Sequence, residues 1–312
     1  MTPTLQFDAV SKWYGDTVAL ADVSFSLEPG VTGLLGHNGA GKSTALKLCA
    51  GFADPSTGSV RVLGTDPKAD VNVFRRIGIV HDSDGLWPFL TARELVELMA
   101  KLRGASDPRA AAQAALEIVD LTDAAERKVG GFSKGMRQRV KLAQALAHDP
   151  ELLLLDEPLN GLDPVQRRQV VELIRRLGTE GRTVVVSSHV LHEVERMATR
   201  VVVLVNGKLV AQGETEGLRE LLRDRPRTLR IRAGEAARSL GRELVAEGLV
   251  SGVRIASPDL IVETEDSGAL ARRLPAIAQT LGATLEQVAP LGDDLESVYA
   301  YLTQHARGRG RA

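Results

Sequence analysis

One glycine-rich run, GHNGAGKS at residues 36–43, has the residue types and spacing of a phosphate-binding loop. It follows an apolar run, Val31 to Leu35, and precedes a helix predicted from Ser43 to Ala50. Glycines let backbone N–H groups converge on phosphate oxygens, and the helix start turns its positive dipole end toward them. The spacing predicts that Lys42 reaches the β- and γ-phosphates of a nucleotide and that the Ser43 hydroxyl binds Mg²⁺.

A pair of acids ends a second apolar run, at Asp156 and Glu157 after Leu152 to Leu155. A carboxylate at the carboxyl end of a buried strand lies where open α/β sheets bind ligands. We therefore expect Asp156 to hold Mg²⁺, directly or through water, and Glu157 to polarise the attacking water as general base. His189 follows another predicted strand, Thr183 to Val186, so a contact with the γ-phosphate is favoured over a helix cap or a surface position.

Alternating strand-like and helix-like stretches must position these residues. Thr91 and Glu94 have capping-box spacing at the start of a helix predicted to reach Leu102. Asp163 and Pro164 are predicted to open a helix that Gly178 closes. The pattern indicates an α/β domain with a largely parallel core sheet and helices on both faces.

A further motif, GFSKGMRQR at residues 131–139, opens a helix predicted from Ser133 to about Ala147. It resembles the signature motif of ABC ATPases and lies just upstream of the acidic strand, as in that family. The resemblance covers roughly Leu5 to Gly217 and implies a P-loop NTPase fold with a helical subdomain. It also implies that the signature closes on ATP held by a neighbouring protomer. The implied signature residues are Ser133, Lys134, Gly135 and Met136. The residues predicted to bind ATP in the loop are Gly36, His37, Asn38, Gly39, Ala40, Gly41, Lys42, Ser43 and Thr44.

The same resemblance assigns further roles. Tyr14 matches the aromatic residue that stacks on adenine, with Trp13 as the neighbouring alternative and a core role as another. Asp163, in the run NGLD, resembles the loop that links two sites across a dimer, and His189 resembles the family's switch histidine. Asp82 stands where the family usually has a metal-sensing glutamine. It could bind Mg²⁺ through water or not at all, and an alignment shifted by one would make His81 or Ser83 the candidate.

The pattern changes near the charged segment 223–227, which predicts a linker between domains 1–222 and 228–312. Beyond it, a βαββαβ order predicts a small α+β domain of ferredoxin-like type. The predicted elements are strand 228–232, helix 234–247, strands 250–256 and 259–264, helix 267–281, strand 284–290 and helix 294–303. The run 293–299 resembles the closing helix of ATPase subunits from bacterial exporters. We interpret the basic tail as disordered, with contact to lipid or RNA phosphates as the alternative.

Composition narrows the class of protein. Hydrophobic residues make up 44% of the 312 residues, charged residues 25%, and the net charge is −1, so binding to nucleic acid is not expected. The only cysteine, Cys49, predicts a reducing compartment and a buried apolar position. No apolar run approaches the roughly 20 residues of a membrane helix. We therefore expect a cytoplasmic protein that lies at the inner face of the cell membrane through an integral-membrane transporter subunit.

The resemblance to ABC ATPases and to exporter subunits, taken with this composition, implies the ATP-hydrolysing subunit of an ABC exporter. Two copies, or one copy and a homologous ATPase, would bind Mg·ATP, close, hydrolyse through Glu157 and drive the membrane chains through the face around residues 75–100. The alternative is a soluble ABC ATPase without transport, associated with ribosomes or DNA. A third interpretation makes the C-terminal domain a ligand-sensing regulator attached to the motor.

Overall fold

The computed structural model describes residues 3–82, 85–216 and 227–291. The chain divides into two compact units, with the boundary between Glu214 and Thr215. The predicted linker at 223–227 lies outside the described residues except for Arg227, and the division into domains 1–222 and 228–312 stays a prediction. Within the described ranges, no helix combines the length and the apolar character that are needed to cross a membrane.

The strands of the first unit form two sheets. One sheet has the order β5-β6-β7-β3-β8-β9 and is parallel except for its last pair, which confirms the predicted parallel core. The other has the order β2-β1-β4 and is antiparallel. In chain order these strands are β1 (Leu5–Tyr14), β2 (Thr17–Leu27), β3 (Gly30–Leu35), β4 (Thr57–Val62), β5 (Ile77–Val80), β6 (Leu152–Asp156), β7 (Thr183–Ser188), β8 (Arg200–Val205) and β9 (Lys208–Glu214).

Helices α1, α2, α4 and α5 lie close to their predicted positions, whereas α3 and α6 were not predicted. Helices α2, α3 and α4 pack together as a helical subdomain. The capping box of α2 is present, since Thr91 and Glu94 each accept a hydrogen bond from the other's backbone N–H. The helices are α1 (Lys42–Cys49), α2 (Ala92–Arg103), α3 (Pro108–Ile118), α4 (Lys134–Leu146), α5 (Pro164–Thr179) and α6 (Leu191–Met197). Short 3₁₀ segments span Val71–Arg76, Thr122–Ala124 and Val129–Gly131.

Strand β3 shows how the parallel sheet is covered on both faces. Neighbouring residues of a strand point to opposite faces. Leu34 belongs to the core that also contains Leu46 and Cys49 of helix α1. A Cβ on Gly33 would come within 2.1 Å of the Val194 Cγ1 in α6, so that helix lies against the opposite face. Burial of Cys49 confirms its predicted place and raises the pKa of its thiol.

The antiparallel sheet was not predicted from the sequence. Its alternating apolar residues face the same core as Leu34, and Phe7 stacks on Phe25 with ring centroids 4.5 Å apart. Helix α1 therefore lies in a core that the two sheets share. The core residues of this sheet are Leu5, Phe7, Val10, Leu20, Val23, Phe25, Leu27, Val60 and Val62.

The predicted end of helix α5 at Gly178 is wrong. Asp163 caps the start of this helix as predicted, but the helix continues through Gly178 to Thr179. A Cβ at Gly178 would lie 2.5 Å from the Val31 Cγ2 and 3.3 Å from the Val31 backbone nitrogen. This glycine allows the helix to approach strand β3 closely, and it does not act as a terminator.

The second unit has the predicted βαββαβ order. Its sheet is antiparallel, in the order β11-β12-β10-β13, so β12 lies between the two strands that the first helix connects. This split βαβ arrangement is that of ferredoxin-like domains. The elements are β10 (Arg227–Arg232), a 3₁₀ segment (Gly234–Ala236), α7 (Ala237–Ala246), β11 (Gly252–Ala256), β12 (Asp259–Thr264), α8 (Ser267–Thr280) and β13 (Gln287–Leu291). The predicted helix 294–303, the run 293–299 and the basic tail lie outside the described residues.

Candidate active site

The carboxyl ends of four parallel strands bring the predicted site residues to one edge of the sheet. Leu35 pairs with Ser188, Asp156 with Ser187, and Val80 with Leu155. The glycine loop, the acidic pair, His189 and the segment with Asp82 follow these positions directly in the chain. The register of the sheet therefore places four separate loops side by side.

The glycine loop leads from β3 into α1 with backbone geometry that side chains would obstruct. A Cβ on Gly36 would lie 2.6 Å from the Leu204 carbonyl oxygen. Gly41, at φ 104°, occupies the left-handed region and the N-cap position of α1, where no side chain caps the helix. The first turn of α1 therefore lacks a side-chain cap, and the start of a helix favours the binding of an anion.

Lys42 lies inside this loop and close to the two acids. Its side chain is buried, and its Nζ donates to the carbonyl oxygens of Gly36, at 2.6 Å, and His37, at 3.3 Å. Burial lowers the pKa of the Lys42 ammonium, while the charges of Glu157 and Asp156 raise it. The structure therefore brings together the three side chains on which the predicted chemistry depends.

The rest of the predicted loop differs in exposure. Ala40 is buried, whereas His37, Asn38, Gly39 and Ser43 are exposed and Thr44 is half-buried. The His37 ring nitrogen Nδ1 lies 2.7 Å from the Asn38 carbonyl oxygen. The Ser43 hydroxyl thus reaches solvent at the first turn of α1, where a metal ion could approach it.

Asp156 and Glu157 are held by a residue to which the sequence analysis assigned no role. Ser187 Oγ donates to Asp156 Oδ1 at 2.5 Å, and the Glu157 N–H reaches both Ser187 oxygens, Oγ at 3.1 Å and the carbonyl at 3.2 Å. Glu157 has φ 49°, a left-handed conformation that is uncommon outside glycine and that occurs at functional sites. The contact of Ser187 with Asp156 had one signal in the sequence. The two residues lie at corresponding positions, at the ends of neighbouring strands.

His189 contacts the predicted general base directly. Its Nδ1 lies 2.9 Å from Glu157 Oε1, and the Glu157 side chain is 13% exposed. A hydrogen bond at this distance fixes the direction of the carboxylate. The histidine therefore orients Glu157, a contact that the sequence analysis did not predict.

Asp82 contacts the loop that follows strand β6. Its Oδ1 accepts a hydrogen bond from Asn160 Nδ2 at 3.3 Å, and its carbonyl oxygen accepts one from Lys141 Nζ at 3.3 Å. The first alternative, His81, stacks on Phe52 with ring centroids 5.6 Å apart. Ser83, the second, lies outside the described residues.

The signature residues form the start of helix α4. Ser133 is its N-cap, and the Ser133 Oγ accepts from the Met136 N–H at 3.2 Å. The Lys134 stem packs beside Gly161, where a Cβ would lie 2.5 Å from Lys134 Cδ. Gly135 is buried, and a Cβ there would lie 2.3 Å from the Gln166 side-chain oxygen.

Asp163 caps helix α5, accepting from the N–H groups of Val165 and Gln166 at 2.9 Å. The aromatic residues Trp13 and Tyr14 are 44% and 48% exposed, which excludes a core role for either. Lys12 Nζ lies 4.8 Å from the Tyr14 ring centroid.

The fold and the site define this chain as a P-loop nucleoside triphosphatase. A central strand, a glycine loop, a helix start with a buried lysine and an acidic strand end occupy the positions of that class. The family model described as ABC transporter matches residues 20–160.

Relatives and solved structures extend this match. Nod factor export ATP-binding protein I of Burkholderia thailandensis is 39% identical over 220 residues, covering 69% of this chain and 72% of that protein. Bacitracin transport ATP-binding protein BcrA of Enterococcus faecalis is 36% identical over 215 residues, covering 68% and 70%. The structure of an ATP binding subunit of an ABC transporter has a TM-score of 0.65 and 29% identity, covering 71% of this chain and 93% of that chain. A dimeric post-hydrolysis structure of the ATP-binding cassette MJ0796, bound to ADP and Pi, has a TM-score of 0.62 and 28% identity, covering 67% and 98%.

The chain belongs to the ATP-binding proteins of ABC transporters, and it is an ABC-type ATPase. The predicted family and the predicted P-loop fold with its helical subdomain are therefore confirmed.

Proposed function

We propose that this ATPase energises export through a separately encoded integral-membrane subunit, at the inner face of the cytoplasmic membrane. Two ATPase subunits, either two copies or one copy and a homologue, bind Mg·ATP between them, close, hydrolyse it and reopen. The names of the relatives, which refer to Nod factor export and bacitracin transport, support a transporter over a ribosome- or DNA-associated ATPase.

The nucleotide is held by the glycine loop. The uncapped first turn of α1 offers backbone N–H groups to phosphate oxygens, and Lys42 exchanges its two carbonyl acceptors for the β- and γ-phosphates. The exposed hydroxyl of Ser43 and the Asp156 carboxylate hold Mg²⁺, which typically takes one or two protein ligands beside substrate phosphates. Bound Mg²⁺ neutralises charge on the phosphate oxygens. Tyr14 supports the adenine from the hairpin whose strand β2 passes Gly41, where a Cβ would lie 2.6 Å from the Ala19 carbonyl oxygen.

The observation that carries the proposed ATP hydrolysis is the hydrogen bond from His189 to Glu157. Because the Glu157 backbone is fixed by Ser187 and its side chain by His189, the carboxylate has a defined direction before substrate arrives. Glu157 accepts the proton of the attacking water, and His189 keeps the carboxylate turned toward the γ-phosphate.

The second half of each site comes from the neighbouring ATPase. Ser133 and the start of helix α4 supply N–H donors and a hydroxyl, which suit the γ-phosphate of a nucleotide on the facing subunit. Asp163 stiffens the loop that follows Glu157 and thereby links the two sites. The similar cassette with a dimeric structure supports this arrangement.

The membrane subunit contacts the surface around residues 75–100. Two large apolar side chains, Trp87 and Phe89, are 41% and 67% exposed just before helix α2. Exposed aromatic residues that lie together are typical of protein interfaces. They support a partner on this surface.

The decisive variant is Glu157→Gln, which keeps the shape of the side chain and removes the base. General bases typically contribute 10²–10⁴-fold, so we expect turnover to fall at least about 100-fold while the Kd for Mg·ATP stays within about threefold. Glu172→Gln, at an exposed position on helix α5, is the matched control and should hydrolyse normally. Normal turnover by Glu157→Gln would refute the assigned base.

Transport is tested separately by co-expression with any membrane protein that is found to be encoded beside this gene. The proposal expects the two to copurify and ATP hydrolysis to change in reconstituted vesicles. ATP-dependent co-sedimentation with ribosomes or RNA, without a membrane partner, would instead support the soluble alternative.

A further inference from the structure

Three hydrogen bonds close a ring between helix α4 and the loops that follow strands β5 and β6. Gln138 Nε2 donates to the Pro158 carbonyl oxygen at 3.0 Å, one residue after the general base in the chain. Asn160 Nδ2 donates to Asp82 Oδ1 at 3.3 Å. Lys141 Nζ donates to the Asp82 carbonyl oxygen at 3.3 Å, which returns the ring to helix α4.

Both side chains that α4 contributes lie on one face of the helix. Residues three positions apart on an α-helix are neighbours, as Gln138 and Lys141 are here. Each is only 6% exposed, so neither is an ordinary surface side chain. The same helix begins at Ser133, the residue proposed to act on the neighbouring nucleotide.

The hydrogen bonds that Lys141 donates are charge-assisted, which is the stronger type. A buried ammonium group requires polar partners, and hydrogen bonds from a charged donor are about twice as strong as neutral ones. Its Nζ also donates to the His81 carbonyl oxygen at 3.2 Å, so it holds two successive peptide groups. The segment after β5 is thereby attached to α4 through its backbone carbonyl groups, and this attachment does not depend on the side chains of the segment.

We propose that Lys141 is a positioning residue for ATP hydrolysis. It holds the segment His81–Asp82 to helix α4, and Asp82 passes this constraint through Asn160 to the loop that carries Glu157. Asp82 serves in this ring and is not a magnesium ligand. The inference rests on the proposed hydrolysis by Glu157.

The test compares Lys141→Met, which keeps the length of the side chain and removes its donors, with Lys141→Arg, which keeps a cationic donor. Loss of a charged hydrogen bond corresponds to a change on the order of 10-fold, so we expect the kcat of Lys141→Met to fall by about that factor. The KM for ATP should stay within about threefold, and Lys141→Arg should recover most of the kcat. Lys101→Met, on the exposed surface of α2, is the control and should match the parent protein.

A second measurement needs no hydrolysis. Amide hydrogen exchange of the peptide 77–82 should accelerate in Lys141→Met and not in Lys101→Met. Parental kcat together with parental exchange in Lys141→Met would overturn the inference, as would an equal loss in Lys141→Arg accompanied by a lowered Tm. A parent protein that binds ATP but does not hydrolyse it would refute the proposed function, and the exchange experiment would still decide whether the ring holds this segment.

Discussion

Removing the Ser187 hydroxyl tests how the site holds Asp156, the acid that is proposed to bind Mg²⁺. Ser187→Ala deletes the donor to Asp156 Oδ1, while the Glu157 N–H keeps the Ser187 carbonyl oxygen as acceptor. Ser187 is fully buried and Asp156 is 5% exposed, so water does not readily replace the lost partner. The substitution therefore acts mainly on the orientation and solvation of one carboxylate.

The magnitude follows from this geometry. A hydrogen bond to a charged group contributes about 1.5–3 kcal/mol, so the free energy of unfolding without ligand should fall by about that amount. Loss of a residue that orients a metal ligand typically weakens metal affinity about 10–100-fold. We expect the Mg²⁺ concentration for half-maximal hydrolysis to rise by at least about 10-fold.

The assay is ATP hydrolysis at saturating ATP with Mg²⁺ titrated, alongside urea denaturation of the ligand-free protein. Ser188→Ala is the matched control because it removes a buried hydroxyl from the same strand. The Ser188 Oγ accepts a hydrogen bond from the Val190 N–H. It should lose stability without changing the Mg²⁺ requirement. An unchanged Mg²⁺ requirement in Ser187→Ala would refute the reasoning that Asp156 holds the metal with the help of Ser187.

Two further predictions concern stability. Gly178→Ala should lower the free energy of unfolding by about 1–3 kcal/mol, because the new Cβ would lie 2.5 Å from the Val31 Cγ2; an unchanged urea midpoint would show that the helix moves aside freely. His148 Nε2 donates to the Ile77 carbonyl oxygen at 3.1 Å, its buried Nδ1 has no partner among the described residues, and burial lowers the pKa of the ring below 6.5. Below about pH 6.5, His148 is protonated in the unfolded chain but stays neutral in the native state. The free energy of unfolding should therefore fall as the pH decreases toward the native pKa. His148→Gln should lose less stability than the parent between pH 7.5 and 5.5, and equal losses would contradict this.

Local sequence patterns predicted the elements that short-range physics defines. The capping box of Thr91 and Glu94, the Asp163 cap and the glycine loop depend on neighbours within a few residues, and each was placed correctly. The apolar strand that ends in Asp156 was also predicted correctly as a fully buried strand. The antiparallel sheet was missed because its strands are stabilised by a core shared with distant segments.

Gly178 shows where local reasoning fails. A glycine near a predicted helix end usually indicates a stop, but here the space is needed by Val31, which is far away in the chain. Sequence alone cannot show such a contact, because a missing Cβ has the same appearance in a turn as in a close approach of helix and strand.

The sequence by itself placed this chain with the ABC ATPases and Asp156 and Glu157 at a strand end, and it predicted that Lys42 binds phosphates. Those properties depend on residue type and on spacing along the chain. Only the tertiary structure decided which partners hold the acids: Ser187 for Asp156 and His189 for Glu157. The reason is physical, since hydrogen bonds act over about 3 Å and the parallel strands that bring these groups so close are far apart in the chain.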